Sequence, residues 1–198
     1  MRLKLKEIAD VIQGSILTRI KNIDEDGIRI EAITMQELSY YCNQTDEKPE
    51  TNFINISKER YSNCLISNVG DVLIGLSSGK AMVIEKNRSN KLILSNFAIV
   101  RLHDTSKIDP FYLCWLINES LYIKKQLLAL FQKTGRVIVI PISEFKEIEI
   151  ESCDISKQRK IGQIYNLTRR KTRLKRTKSE YSYEIINLGL KKYLKENN

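Results

Sequence analysis

The sequence predicts an α+β protein: a globular, strand-rich body followed by a long C-terminal α-helix. Three observations lead there. Short runs of branched residues bounded by glycine and polar turns recur through the first 153 residues. From Ser156 onward there is no proline, and only Gly162 and Gly189 interrupt a good helix-forming composition. Charge divides the same way: residues 154 to 198 hold 13 Lys/Arg against 4 Asp/Glu, while residues 1 to 153 hold 20 against 20, so the net charge of +9 belongs entirely to the tail. The expected domains are therefore a neutral body, 1-153, and a basic helical arm, 154-198.

A chain of 198 residues with 42% hydrophobic content buries one core and carries one appended element. Lys4, Lys6, Glu7 and Asp10 interrupt the opening apolar residues, so no secretory signal is expected there. No later stretch reaches the ~20 apolar residues of a membrane span. Cytoplasmic location and no membrane partner follow as expectations. Cys42, Cys64, Cys114 and Cys153 show no paired spacing and share the chain with one histidine, His103. That pattern fits reduced thiols, with no metal site and no Cys-His nucleophile.

Along the body, Leu3, Leu5, Ile8, Ala9, Val11 and Ile12 predict a short helix or strand ending at Gly14. The Asp24-Glu25-Asp26-Gly27 turn leads to a strand around Ile28, Ile30 and Ala32. Residues 42 to 52 are polar and read as a surface loop. Val69 to Gly75 is a turn entering a buried strand, Ser77-Ser78-Gly79-Lys80 a turn, and Ala81 to Glu85 a second strand. Leu92-Ile93-Leu94 and Phe97 to Leu102 add β-type runs, enough for a curved or partly closed sheet.

Asp109 followed by Pro110 predicts an N-cap and first helical position, with apolar residues at helical spacing from Phe111 to Phe131 and a stop at Thr134-Gly135. Val137 to Ile142 reads as a strand, as does the alternation of Phe145, Ile148 and Ile150. In the arm, Leu167, Leu174, Tyr181 and Leu188 recur every seven residues, and Ile164 and Ile185 precede two of them by three. This is a heptad seam, imperfect because Lys171, Lys178 and Lys192 occupy other seam positions. A solvated amphipathic helix is the plain alternative. About 40 helical residues extend on the order of 60 Å.

The order of these features resembles the specificity (S) subunits of type I restriction-modification systems. The matching stretches are Leu5-Lys6-Glu7-Ile8-Ala9-Asp10-Val11-Ile12-Gln13-Gly14, Gly70-Asp71-Val72-Leu73-Ile74 with Gly79, and Leu94-Ser95-Asn96. Pro110-Phe111-Tyr112-Leu113, Gly135 leading into Val137 to Ile140, and Gln158-Arg159-Lys160-Ile161 complete the set. Lys157 stands where the family has an acidic residue before the glutamine. The resemblance implies a non-catalytic subunit in which a target recognition domain reads part of a split site in double-stranded DNA. It implies long helices that space two readers and bind methyltransferase (M) subunits, with the restriction (R) subunit a further expected partner. S-adenosylmethionine would sit on the methyltransferase subunit, leaving this chain without a cofactor. A full subunit resembles two such units in tandem and this chain has one, which implies a half-size form pairing as a homodimer through the arm.

Base reading requires hydrogen-bonding side chains on supported loops, and phosphate contacts require cations. The DNA-binding candidates are Gln13, Ser15 and Arg19; Ser77, Ser78 and Lys80; and Lys133, Thr134 and Arg136, each group beside a glycine. An ordinary polar turn contains the same residue types. Tyr40 and Tyr41 fit either a stacking rim or the core. The arm residues expected to meet a second copy or a partner are Ile164, Leu167, Leu174, Tyr181, Ile185 and Leu188. The cluster Arg169, Arg170, Lys171, Arg173, Lys175, Arg176 and Lys178 fits phosphate, an acidic partner patch or a solvated face.

Other classes fit less well. Asp109-Pro110-Phe111-Tyr112 lacks the second proline of an amino-methyltransferase motif and is better explained as a helix start. Glu144-Phe145-Lys146 with Asp109 upstream has the local spacing of a metal-dependent nuclease, which stays as an alternative. A coiled-coil adaptor without a nucleic-acid role is the other.

Overall fold

The computed structural model describes residues 1–21, 27–133 and 139–196. The opening segment is both helix and strand: β1 (Arg2–Lys4), the single turn α1 (Leu5–Ile8) and β2 (Ala9–Gln13) follow one another without a loop. β1 pairs antiparallel with β8 (Glu149–Glu151), Leu3 opposite Ile150, and so ties the N-terminus to the root of the arm. β2 forms one edge of a four-stranded antiparallel sheet ordered β2-β7-β5-β6, with β5 (Val72–Gly75), β6 (Ala81–Val83) and β7 (Phe97–Leu102).

The central strands are apolar on both faces because the sheet is covered on both. Val72, Ile74 and Val100 face a core shared with Leu113, Leu116 and Ile117. Leu73, Met82 and Ile99 face a second core with Ile33, Leu38 and Tyr41. Asp71 explains the Gly-Asp entry to β5. Its buried carboxylate accepts from Arg101 Nε and Nη2 at 2.9 and 2.8 Å and from the Asn68 amide at 2.8 Å. The pairing holds Arg101's guanidinium pKa above its ordinary value, chiefly through the hydrogen bond to Asp71.

A separate two-stranded ribbon, β3 (Ile28–Ala32) with β4 (Asn52–Ile56), packs Ile30, Ala32, Ile54 and Ile56 against Leu92 and against Ile20 of α2 (Leu17–Ile20). β4 begins at the last residue of the polar stretch expected to be loop. Between the ribbon strands lies α3 (Met35–Tyr41), capped by Thr34 Oγ1 accepting from the Glu37 amide at 3.1 Å. Asp24, Glu25 and Asp26 lie outside the described residues.

Two expectations need correction. The helix from Phe111 to Phe131 is two helices, α4 (Pro110–Glu119) and α5 (Leu121–Lys133). Ser120 adopts an extended backbone, its amide donating to the Leu116 carbonyl while its own carbonyl starts the next helix by accepting from Lys124. Serine offers such competing local bonds, which is why periodicity alone ran through it. The strand expected over Val137 to Ile142 is also not formed where it is described. Val137 and Ile138 lie outside the described residues, and Val139 and Ile140 form no strand, although the Ile140 amide reaches the Leu76 carbonyl at 2.9 Å. Pro141 then begins the single turn α6 (Ile142–Phe145), so Phe145 is helical, and only Glu149–Glu151 of the alternating run is strand. Proline supplies no ladder donor.

α7 (Ile155–Glu196) is continuous for 42 residues, and neither glycine breaks it. Asp154 Oδ1 caps it by accepting from the Ser156 amide at 2.9 Å. Gln158 is fully buried: Nε2 donates to the carbonyls of Lys107 (3.0 Å) and Cys153 (2.8 Å), and Oε1 accepts from the Asp109 amide at 3.1 Å. The glutamine at the head of the arm is thus an internal joint, independent of the exposed Lys157 beside it.

Candidate nucleic-acid and partner interfaces

The sheet register brings two candidate loops to one end of the body. Gln13 lies opposite Ala98, Ala98 opposite Ile74, and Ile74 opposite Ala81. The exit of β2 and the turn between β5 and β6 therefore emerge side by side, separated by one strand and hence by about 10 Å. The Ile140 amide bond to Leu76 brings the chain back to the same end just after Lys133, Thr134 and Arg136. Lys133 closes α5, but its side chain, Thr134 and Arg136 lie outside the described residues.

Within this end the side chains differ in availability. Gln13 is exposed, and its Nε2 donates to the Ser95 carbonyl at 3.1 Å. Ser15 is half-buried with Oγ accepting from the Leu65 amide at 2.8 Å, which makes it a strut between loops. Arg19 is exposed on α2, its carbonyl held by the guanidinium of Arg60. Ser77 is exposed, whereas Ser78 is half-buried and bonds within its own turn to the Gly75 carbonyl and the Lys80 amide. Lys80 is half-buried. Gly14 is buried, and a Cβ there would lie 2.0 Å from the Leu94 carbonyl oxygen, so its lack of side chain serves packing against the 93–94 backbone.

The arm has an inverted distribution. Its side toward the body is largely polar: Gln158, Gly162, Tyr165, Arg169, Arg173 and Arg176 are spaced at three and four residues, while Ile161 and the Tyr165 ring pack against the core. Asn118 Nδ2 donates to Tyr165 Oη at 2.9 Å and to the Ala81 carbonyl at 2.8 Å, so one amide joins α4, the edge strand β6 and the arm. Arg169, 8% exposed, donates to Tyr165 Oη at 2.6 Å and to the Tyr41 carbonyl at 2.9 Å. Arg88, Arg169 and Arg173 surround the Tyr41 ring at 5.5, 5.4 and 4.8 Å. Tyr41 is core, and burial pushes its phenol pKa up. Tyr40 lines the groove between body and arm. Arg176 reaches the Thr45 carbonyl at 2.6 Å and pairs with Asp46, and Lys48 stands 5.8 Å over Tyr181.

Three members of the basic cluster, Arg169, Arg173 and Arg176, are thus directed at the body, which sequence spacing did not separate from exposed Arg170, Lys171, Lys175 and Lys178. At about 100° per residue, Ile164, Leu167, Ile185 and Leu188 fall on the side away from the body, while Leu174 lines the groove beside Tyr40 and Tyr181 lies under Lys48. Ile164, Leu167, Leu174, Tyr181, Ile185 and Leu188 are all exposed, as are Tyr183, Ile186, Leu190, Tyr193 and Leu194.

The nuclease residues do not form a comparable arrangement. Asp109 Oδ1 accepts from the Tyr112 amide at 2.9 Å, the cap that Pro110 predicted. Among the described residues no group of three or more His, Cys, Asp or Glu is placed to hold a metal ion. His103 Nε2 lies 3.1 Å from Asp10 Oδ1. No helix among the described residues is long and apolar enough to cross a membrane.

No protein-family model matches the sequence, and no curated protein is similar to it in sequence. Solved structures do match in shape. A chain from the structural study of complex assembly and conformational transition of the type I R-M system superposes with a TM-score of 0.62 at 12% identity, over 95% of this chain and 47% of that one. The HsdS subunit from Thermoanaerobacter tengcongensis gives 0.61 at 13% identity, over 95% and 46%. The type I restriction-modification S subunit from M. genitalium gives 0.52 at 15% identity, over 83% and 37%. The chain spans about half the length of the first two. It therefore has the fold of one half of a type I restriction-modification specificity subunit.

Proposed function

We propose that this chain is the DNA sequence-recognition subunit of a type I restriction-modification complex in the cytoplasm, in a half-size, non-catalytic form. The observation that carries the reading is the shared fold, which includes body and arm together over 95% of the chain. The body reads one part of a split site in double-stranded DNA through the loops at the sheet end, with Gln13, Arg19, Ser77 and Lys80 the nearest described candidates and Lys133, Thr134 and Arg136 completing the group. Ser15 and Ser78 support those loops.

The arm supplies association. A monomeric helix on a globular surface turns its apolar face inward, whereas α7, apart from Ile161, turns mainly polar groups inward and leaves its seam residues exposed. Covering that seam with a second copy of the arm gives a two-fold pair with two readers, and M and R subunits dock on the assembly. S-adenosylmethionine belongs to the M subunit. The test is sedimentation of the full chain beside a Leu174→Glu/Leu188→Glu variant. A wild-type dimer that becomes a folded monomer in the variant supports the reading, and a wild-type monomer at high micromolar concentration removes the pairing. Duplex DNA binding with a log-log salt slope near −0.9 per neutralised phosphate supports the reader role, and salt-insensitive binding contradicts it.

A further inference from the structure

The sequence pointed to loops for DNA contact, but the body presents a second surface of the right chemistry on the β3-β4 ribbon. Its inner residues, Ile30, Ile54 and Ile56, fix it to the body. The Lys21–Ile56 bridge and the Leu92–Glu31 and Ile33–Leu92 backbone bonds fasten it further. On the outer face Arg29 is opposite Asn55 in register, and Arg29 lies over the Phe53 ring with its guanidinium carbon 4.4 Å from the centroid. Phe53 is 49% exposed, and Arg29 and Asn55 are also exposed.

The surroundings are mostly basic, and Glu31, opposite Phe53 on the same face, is half-buried and paired with Lys91 at 2.6 Å. Two adjoining hollows flank α2. Lys21, Arg29, Phe53 and Asn55 line one, and Gln13, Ser15, Arg19 and Arg60 belong to the other. Among the described residues lining them there are four basic side chains and no acidic one, whereas the hollow beside α6 contains Glu144 and Glu147. Asp24, Glu25 and Asp26, which lie between Lys21 and Arg29 in sequence, are outside the described residues. The second hollow continues into the sheet-end loops through Gln13 and Ser15, so the basic surface runs from those loops to the ribbon.

We infer that the outer face of the β3-β4 ribbon enters a DNA major groove, with Asn55 and Arg29 reading base edges and Phe53 making the apolar contact. The major groove admits a two-stranded β-ribbon. Asparagine pairs with adenine N6 and N7, arginine with guanine O6 and N7, and phenylalanine fits a thymine methyl group. Phe53 and Asn55 are two residues apart on one strand, about 7 Å, close to two base-pair steps of ~3.4 Å. Lys21, Arg19 and Arg60 then take phosphates and fix the register of the ribbon. The inference rests on the proposed recognition role and gives it specific readers.

The test is selection from a randomised duplex library with the purified full chain, followed by titration of the selected duplex. The wild type enriches a short motif. Asn55→Ala and Arg29→Lys each erase the preference at one or two adjacent base pairs by about tenfold or more and keep the rest of the motif, while Lys21→Ala weakens selected and random duplexes alike. Asn55→Asp moves the preference at its base pair toward cytosine, whose N4 is a donor. Thermal unfolding confirms that these surface variants are folded, and a lowered melting temperature with an unchanged motif assigns the Arg29-Phe53 pair to ribbon stability alone. An unchanged motif in both Asn55→Ala and Arg29→Lys overturns the ribbon as reader and leaves the recognition role standing. Absence of any motif in the wild type sinks the recognition role, and the ribbon inference with it.

Discussion

Arg169 Nη2 donates to the Tyr41 carbonyl oxygen at 2.9 Å, joining residues 128 positions apart in sequence. The same guanidinium reaches Tyr165 Oη and lies between the two phenol rings at 5.4 and 5.1 Å, so it fixes both the position and the rotation of the arm against the body. The proposed recognition role requires such a joint, because a body that swivelled on its arm could not hold a fixed spacing between two half-sites. Arg169→Ala removes one donor from each acceptor, leaving the Tyr41 carbonyl with Arg173 Nη1 at 3.4 Å and the Tyr165 hydroxyl with Asn118 Nδ2 at 2.9 Å. A loss of about 1.5–3 kcal/mol in denaturant unfolding is expected, the range for hydrogen bonds made by a charged group. Unchanged stability would show that the joint is made elsewhere.

The two glycines of α7 give opposite outcomes. A Cβ at Gly162 would stand 2.5 Å from Asp109 Oδ1 and 2.9 Å from both the Phe111 Cβ and the Tyr112 amide nitrogen, because the arm crosses the start of α4 there. Gly162→Ala therefore destabilises the protein by about 1–3 kcal/mol through overpacking, although alanine is the better helix former. At Gly189 nothing lies within 4 Å, and Gly189→Ala gains up to about 1 kcal/mol of helix propensity. Thermal unfolding of the two variants side by side checks the contrast.

The four thiols rank by accessibility. Cys153 is exposed, Cys42 and Cys64 are intermediate and Cys114 is buried. Burial pushes the pKa of Cys114 up most strongly and those of Cys42 and Cys64 up as well, which lowers their thiolate fractions. Timed alkylation with mass mapping should modify Cys153 first and Cys114 only on unfolding. Early modification of Cys114 would mean that the interface between α4 and β6 opens in the native state.

Acid acts at the start of the arm. The Ser156 side chain, and then its amide, hold the Asp154 carboxyl below its ordinary value of 3.8. A depressed folded-state pKa means that the cap's contribution is fully present above 3.8 and disappears as pH falls through the folded value. Asp154→Ala should therefore be less stable than wild type at neutral pH, and the difference should close in strongly acidic solution. A gap that persisted at the lowest pH would show that Asp154 acts through packing instead of its charge.

Sequence alone determined the features that depend on near neighbours. The Asp109 cap with Pro110, the β7 run from Phe97 to Leu102 and the long α7 with its seven-residue seam all rest on local backbone preferences and on short-range periodicity. Tertiary structure decided the rest. The break at Ser120 and the turn at Ile142–Phe145 replace elements that periodicity favoured, because capping and Pro141 outweigh the apolar pattern. α3 lay hidden in a stretch whose Tyr40 and Tyr41 fitted rim or core equally. Which arginines of a uniform basic cluster turn inward, and that Arg29, Phe53 and Asn55 share an exposed face with the hollows around Arg19 and Arg60, depend on contacts between residues far apart in the chain. Local composition carries no record of those contacts.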